Sequence, residues 1–470
     1  MSPQMFIVVL VLSIAALMLL IVKAKLHPTF SLFIVALFVG IAINLPVMQT
    51  IGFITVGFGA TMQSIGIPII LGAILAMGIQ DTGAAVSIAN FFIKRFGGKN
   101  LELAPGLTAY VVSIPVFGDI TMMLTSNIAN VLSKRTRHSM ASMATFAGLA
   151  LFLTHALVPP TPGILALSLL LGADLGMVIL WGIVVTFVVF IAIWFMLRNW
   201  TKKEYIEPIN DLVANIPESG SGNVEDLLVK KDDLPHPFAA FMTVFIPVFL
   251  LTGSSIINLS VAEDAPIRAL AALMGDRIVA LGIGVIYTMF LGIAHKSSVI
   301  ASNASIMGKE NILREVLLQD WIVRGLKISF TVIVITAMGG AFSQVIRNAP
   351  AINELSVMIQ HSPIPGILIP FLISVIMMSS VGSMTVAGMT AAALVLPMMG
   401  GLGITPVAAA LAIGAGSMTI NHVNNSGFWV MSQFFNLNTQ QAFKYVTIPC
   451  AIASVLCIIL IAVFSGIGLF

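Results

Sequence analysis

The chain has 470 residues, of which 58% are hydrophobic and only 9% charged, with 22 Lys+Arg against 19 Asp+Glu. A soluble domain carries roughly 25% charged residues, so this composition excludes a secreted, nuclear or ordinary cytosolic protein and points to a polytopic membrane protein. The net charge of +3 is too small and too dispersed for a nucleic-acid binder.

At ~20 residues per span the length accommodates roughly ten to fourteen crossings. Hydropathy places about ten of them, at 4–22, 29–45, 66–92, 139–173, 175–197, 237–259, 277–295, 326–345, 403–436 and 441–467. Those at 139–173 and 403–436 are broken by polar and Pro or Gly residues. Two further apolar stretches, 103–132 and 363–399, have a Pro/Gly/Ser break near the middle and arms too short for full spans. They are expected as re-entrant hairpins, since irregular backbone at membrane depth needs protein or a water-filled cavity around it. The expected fold is therefore an all-α polytopic membrane protein of about ten transmembrane helices plus two re-entrant hairpins.

The basic residues test this path. With residues 23–28 in the cytoplasm and both hairpins returning to their own side, every Lys and Arg except Arg268, Arg277 and Arg347 falls on the cytoplasmic side, as the positive-inside rule demands. Both termini then lie outside. The polar segment 199–236, with its Ser219-Gly220-Ser221-Gly222 linker, divides the chain into a first half, 1–198, and a second, 237–470. The stretch from Glu310 to Trp321 reads as a short interfacial helix. Cys450 and Cys457 are seven residues apart, about 10 Å along a helix, beyond disulfide reach.

The halves echo each other. Gly118-Asp119-Ile120-Thr121 sits at the first hairpin break and Gly382-Ser383-Met384-Thr385 at the second. Farther on, Thr154-His155-Ala156-Leu157-Val158-Pro159-Pro160-Thr161-Pro162-Gly163 matches the place of Asn421-His422-Val423-Asn424-Asn425-Ser426-Gly427. Five spans per half reverse the second half in the membrane, giving inverted repeats. Inverted repeats with broken helices are a transporter signature, with substrate and coupling ion where the broken elements meet.

These residues suit a small organic anion without requiring Lys or Arg. Helix starts at the breaks offer free N–H groups and partial positive charge. Gly118 and Gly382 allow close backbone approach. Thr121, Thr154, Ser383, Thr385, Asn421, Asn424 and Asn425, with His155 and His422, offer donors and acceptors for hydroxyls. Asp119 is the leading candidate for proton coupling, because an acid in the membrane interior is costly and generally functional; capping the second hairpin arm is its structural alternative. Asp81 is the second candidate, with helix packing as its alternative. No metal and no organic cofactor is expected. The competing classes are a channel and an intramembrane hydrolase built on Ser383 with His155 or His422. Neither accounts for the repeat; no GxSxG string surrounds the serines and no filter motif is present.

Four strings carry a resemblance: Ser113-Ile114-Pro115-Val116-Phe117-Gly118-Asp119, the Thr154–Gly163 segment, Gly339-Gly340-Ala341-Phe342, and His422-Val423-Asn424-Asn425-Ser426-Gly427-Phe428-Trp429. Over nearly its whole length the chain resembles the gluconate permease (GntP) family of the ion-transporter superfamily. The resemblance implies proton-coupled uptake of gluconate or a related sugar acid across a bacterial inner membrane. Some branches take D-serine or other small hydroxy acids, and sodium serves some relatives in the wider superfamily. It also implies alternating access by a moving unit beside a scaffold, in a homodimer. Two positions depart from the family pattern. Phe117-Gly118-Asp119 replaces the usual Phe-Phe-Asp, and Asn425 stands where the family usually has an acid.

Overall fold

The computed structural model describes residues 3–96, 100–116, 118–209, 228, 233–262, 265–303, 312–349, 363–422 and 425–470. All regular structure among them is helical. Among the described residues nine helical stretches are long and apolar enough to cross a membrane, and the polytopic all-α class expected from composition is the class observed. Four shorter apolar helices, Pro28–Ala42, Leu103–Val112, Leu368–Ser379 and Pro406–Ser417, belong to the second expected span, the first arms of both hairpins, and the first part of the last broken span.

In chain order the helices are α1 (Pro3–Met18), α2 (Pro28–Ala42), α3 (Val47–Asp81), α4 (Ala84–Phe96), α5 (Leu103–Val112), α6 (Gly118–Thr136), α7 (Met140–Leu157), α8 (Pro162–Leu171) and α9 (Leu175–Thr201). After a linker that falls largely outside the described residues come α10 (Pro237–Ser260), α11 (Pro266–Met274), α12 (Arg277–Ala294), α13 (Lys296–Ser302) and α14 (Trp321–Arg347). The chain ends with α15 (Leu368–Val381), α16 (Met384–Val395), α17 (Pro406–Ser417), α18 (Ser426–Phe434) and α19 (Ile448–Gly466).

Helix ends follow local chemistry. Pro28 and Pro237 occupy the first turns of α2 and α10, where the missing N–H costs nothing, and the preceding His27 and His236 rings accept from Thr29 N and Phe238 N. Asp276 caps α12 through Ile278 N and Val279 N. α8 stops at Gly172, whose φ of +73° suits glycine.

Two expectations are corrected. The span expected at 66–92 is instead α3, 35 residues from Val47 to Asp81, then a turn at Thr82–Gly83 and a separate α4. Within α3, Gly57 lies against the backbone of Gly340 and Ala341 and leaves no room for a side chain. The glycine is there for packing. The expected interfacial helix near 310–321 also differs. From Ile312 it runs through a π turn at Val316–Asp320 directly into α14, because Val316, Leu317 and Trp321 are buried.

α3 and α14 pack antiparallel along their lengths. Gly57 and Thr61 meet Gly340, Ile74 meets Gly325, and Gly78 meets Trp321, a small-residue seam of the kind that brings membrane helices close. At the centre, Met140–Leu171 is buried along nearly all its length, while Pro237–Asn258, Arg277–Ala294 and Thr439–Gly466 have less than half of theirs buried. The exposed faces are apolar, with Phe249, Phe290 and Ile459 pointing outward, as lipid contact requires.

Candidate functional site

The breaks in the apolar helices converge. α5 ends at Val112 and α6 starts at Gly118; α15 ends at Gly382, with φ +71°, and α16 starts at Met384. The arms of each pair pack on one another, and α7 with α17 back them. Between them lies a cavity of about 330 Å³, within the range of small-molecule sites.

Of the residues singled out in the sequence, Gly118, His155, Ser383, Thr385 and Asn425 line this cavity. Three helix starts therefore face it, at Gly118, at Ser383–Met384 and at Asn425–Gly427. A fourth, at Pro162–Gly163, abuts Thr385 from behind, where a Cβ on Gly163 would come 3.1 Å from Thr385 Oγ1. Converging helix N-termini give a positive potential without a cationic side chain. Among the described residues no Lys, Arg, Asp or Glu lines the cavity. His155 Nδ1 is enclosed and has no hydrogen-bond partner among the described residues, which makes it a donor or acceptor available to a ligand. Ser383 Oγ accepts from Val386 N at 3.4 Å, capping α16.

Other predicted residues support the site from outside its lining, some of them through Asn425. Thr154 Oγ1 bonds back to Ala150 O at 3.0 Å and contacts Ser113 Oγ, the helix-satisfying pattern usual for threonine. Thr121 is buried behind the first turn of α6, with Oγ1 unpartnered. Asn425 Oδ1 accepts from Gly427 N at 2.7 Å, and its amide donates to Asn421 Oδ1. Asn421 Nδ2 donates to Met418 O at 3.0 Å, holding the broken segment. His422 Nε2 lies 3.2 Å from Ser379 O, tying that segment to the end of α15. Asn424 lies outside the described residues, as does the side chain of Asp119, whose backbone follows Gly118 in the first turn of α6.

Asp81 is elsewhere. It ends α3, is 2% exposed, and accepts from Trp321 Nε1 at 2.9 Å, Asn303 Nδ2 at 2.8 Å and the Arg324 guanidinium. Arg324 Nε also pairs with Asp320 at 2.6 Å. This is a closed ion-pair network binding α3 to α14, a structural arrangement.

Sequence reading missed the wall contributed by α14. Ile328, Thr331, Val332 and Ile335 face the cavity. One signal was present, a lone threonine in the apolar run from Phe330 to Ile335. Cys450 and Cys457 are buried and free.

The match to known families decides the identification. A family model described as GntP family permease covers residues 5–467. The chain belongs to the GntP permease family. A high-affinity gluconate transporter of Escherichia coli strain K12 is 26% identical, over 93% of this chain and 94% of that one. A D-serine transporter of the same strain is 28% identical over 97% of each. Among solved structures, the YdaH transporter of Alcanivorax borkumensis matches with a TM-score of 0.56 at 15% identity, covering 89% of both chains. At that identity it bears on fold alone. In this GntP permease three of the family strings noted in the sequence, at 113–119, 154–163 and 422–429, fall at helix breaks, while Gly339–Phe342 lies within α14.

Proposed function

We propose that this chain imports gluconate or a related small hydroxy or sugar acid, coupled to protons, by alternating access. The observation that carries the reading is the cavity itself. Helix starts from two paired-arm units meet around hydroxyl, amide and imidazole groups with no fixed charge among the described lining residues, which suits one carboxylate and several hydroxyls. Asp119, one residue into the α6 start, is the proposed proton carrier, and Asp81, held in its network, is not needed for that role. D-serine or a short-chain hydroxy acid is the alternative substrate, favoured by the relative named for D-serine transport. Sodium is the alternative ion.

Inverted repeats are supported by reciprocal packing. α16 of the second half packs on α8 of the first, and α6 of the first packs on α18 of the second. The seam behaves alike, since exchanging α3 with α14 sends the contact near Gly57 and Gly340 onto the one near Gly78 and Trp321. In this reading 103–132 and 363–399 are re-entrant, both termini are outside, the membrane is a bacterial inner membrane and the working unit is a homodimer. α8 and α16 also pack on the α3–α14 pair, where Ile65, Ile69, Leu169, Phe342 and Met389 form one apolar layer. In this reading that layer lies on the outer side of the cavity.

The test is uptake of labelled gluconate into proteoliposomes under an inward proton gradient, with and without sodium. Glucuronate, D-serine and 3-hydroxybutyrate serve as competitors. Saturable, proton-driven gluconate uptake is expected. Uptake that another acid alone competes for moves the substrate; uptake driven by sodium alone replaces the ion; flux without saturation removes the transporter reading in favour of a channel.

A further inference from the structure

At the outer end of the α3–α14 seam lies a second cavity of about 180 Å³. Thr61, Ser64, Ser343, Gln344 and Arg347 supply its polar lining, and no carboxylate is among the lining residues. Arg347 is exposed and has no ion-pair partner among the described residues. Ser343 is 1% exposed with its Oγ unpartnered. Arg277 stands at the rim, Nη2 3.4 Å from Ser64 Oγ. Arg277 and Arg347 are two of the three basic residues that defy the positive-inside pattern. The adjoining cavity that Arg277 also lines, about 270 Å³, contains Asp174 and Asp276, so its charge is compensated. Among the described residues no carboxylate lines the one beside Arg347.

Ser343 lies eight residues beyond Ile335, about 12 Å along α14, with the apolar layer between the two cavities. We propose that this outer cavity is an anion subsite, where the carboxylate of a small organic acid docks before the permease opens to that side. A guanidinium presents a planar fork that matches a carboxylate, and Ser343, Ser64 and Gln344 complete its hydrogen bonds. The cavity is smaller than most ligand sites, so it takes the carboxylate end of the molecule and leaves the rest in the outer vestibule. The inference rests on the proposed import of an organic acid, and the test separates the two.

Ser64→Cys places one accessible thiol at the rim, since Cys450 and Cys457 are fully buried. Its rates of modification by impermeant anionic sulfonatoethyl and cationic trimethylammonioethyl methanethiosulfonates are compared in full-length protein in proteoliposomes. The anionic reagent is expected to gain about tenfold over the cationic one relative to an Arg347→Gln background. Gluconate slows the anionic reaction, and Arg347→Lys keeps most of the preference. In uptake, R347Q raises KM with kcat little changed. A reagent ratio indifferent to R347Q overturns the subsite, whatever the transported acid. A clear ratio in a chain that carries no gluconate sinks the substrate assignment and keeps the subsite as an anion site.

Discussion

Trp321 Nε1 donates to Asp81 Oδ2 at 2.9 Å, joining two helix ends 240 positions apart. Arg324 and Asn303 engage the same carboxylate, so a buried charge is accommodated by pairing. Asp81→Asn breaks the ion pair and is expected to cost about 2 kcal/mol, below the ~3–5 of a fully enclosed pair, because Arg324 is 29% exposed and keeps Asp320. The unfolding midpoint in detergent should fall, and adding Arg324→Gln should recover part of it. Proton-driven uptake by the folded fraction should persist; its loss at an unchanged midpoint would return Asp81 to the coupling role.

Asp119→Asn should abolish uptake driven by a proton gradient while gluconate counterflow continues, because exchange needs the binding site but no net proton movement. Full gradient-driven uptake in this variant would remove Asp119 from coupling.

Thr385 borders the cavity and caps no helix. Thr385→Ala should raise KM about tenfold, the worth of one well-placed hydrogen bond, and leave the unfolding midpoint unchanged. Ser383→Ala should lower both affinity and stability, because Ser383 also caps α16. Equal effects of the two on the midpoint would contradict this division.

The α3–α14 seam makes a sharp prediction about glycine. A Cβ on Gly340 would fall 1.8 Å from Thr61 Oγ1, and one on Gly57 2.7 Å from Gly340 O. Gly340→Ala and Gly57→Ala should therefore destabilise by about 1–3 kcal/mol or more. Gly52 and Gly59, on the same helix, meet nothing within 4 Å. Their alanine variants should be neutral or more stable by about 0.5–1 kcal/mol. Four detergent melts decide it.

Glu204, in the segment following α9, accepts from Lys444 at 2.7 Å, Gln441 at 2.8 Å and Tyr445 at 2.8 Å. The Lys444 hydrogen bond first, then those of Gln441 and Tyr445, hold its pKa down at about 2, from the usual 4.5. A depressed carboxylate stabilises the fold fully above its ordinary pKa, and loses that contribution as pH falls toward the folded value. Glu204→Gln should thus lower the midpoint at neutral pH, modestly because the side chain is 35% exposed. The gap between variant and parent should stay constant down to pH near 4.5 and shrink below it. A gap that widens on acidification would show the sign to be wrong.

The helix breaks were legible because helix breakers mark them. Gly118, Pro159 to Pro162, Gly382 and the asparagines near 421–425 cannot continue an apolar helix, and the residues beside them are those that gather at the cavity. What was not legible depended on distant partners. Asp81 read as a lone acid inside a span because Asn303, Trp321 and Arg324 lie 222 to 243 positions away. The full length of α3 was not legible either, because nothing local shows that Gly57 faces another backbone. Thr331 stood out only as a lone threonine, since which face of α14 meets the cavity is set by tertiary packing.

The antiparallel course of α3 and α14 also has an electrical side. Two long helices lying head to tail cancel most of each other's macrodipole, so the membrane voltage exerts little net pull on the pair. The helices that start at Gly118, Pro162, Met384 and Ser426 instead gather their positive poles round the cavity. Voltage therefore acts chiefly on whatever occupies that centre. A monoanion accompanied by one proton would cross as a neutral load and feel almost no field; the same anion with two cations would make the import cycle electrogenic.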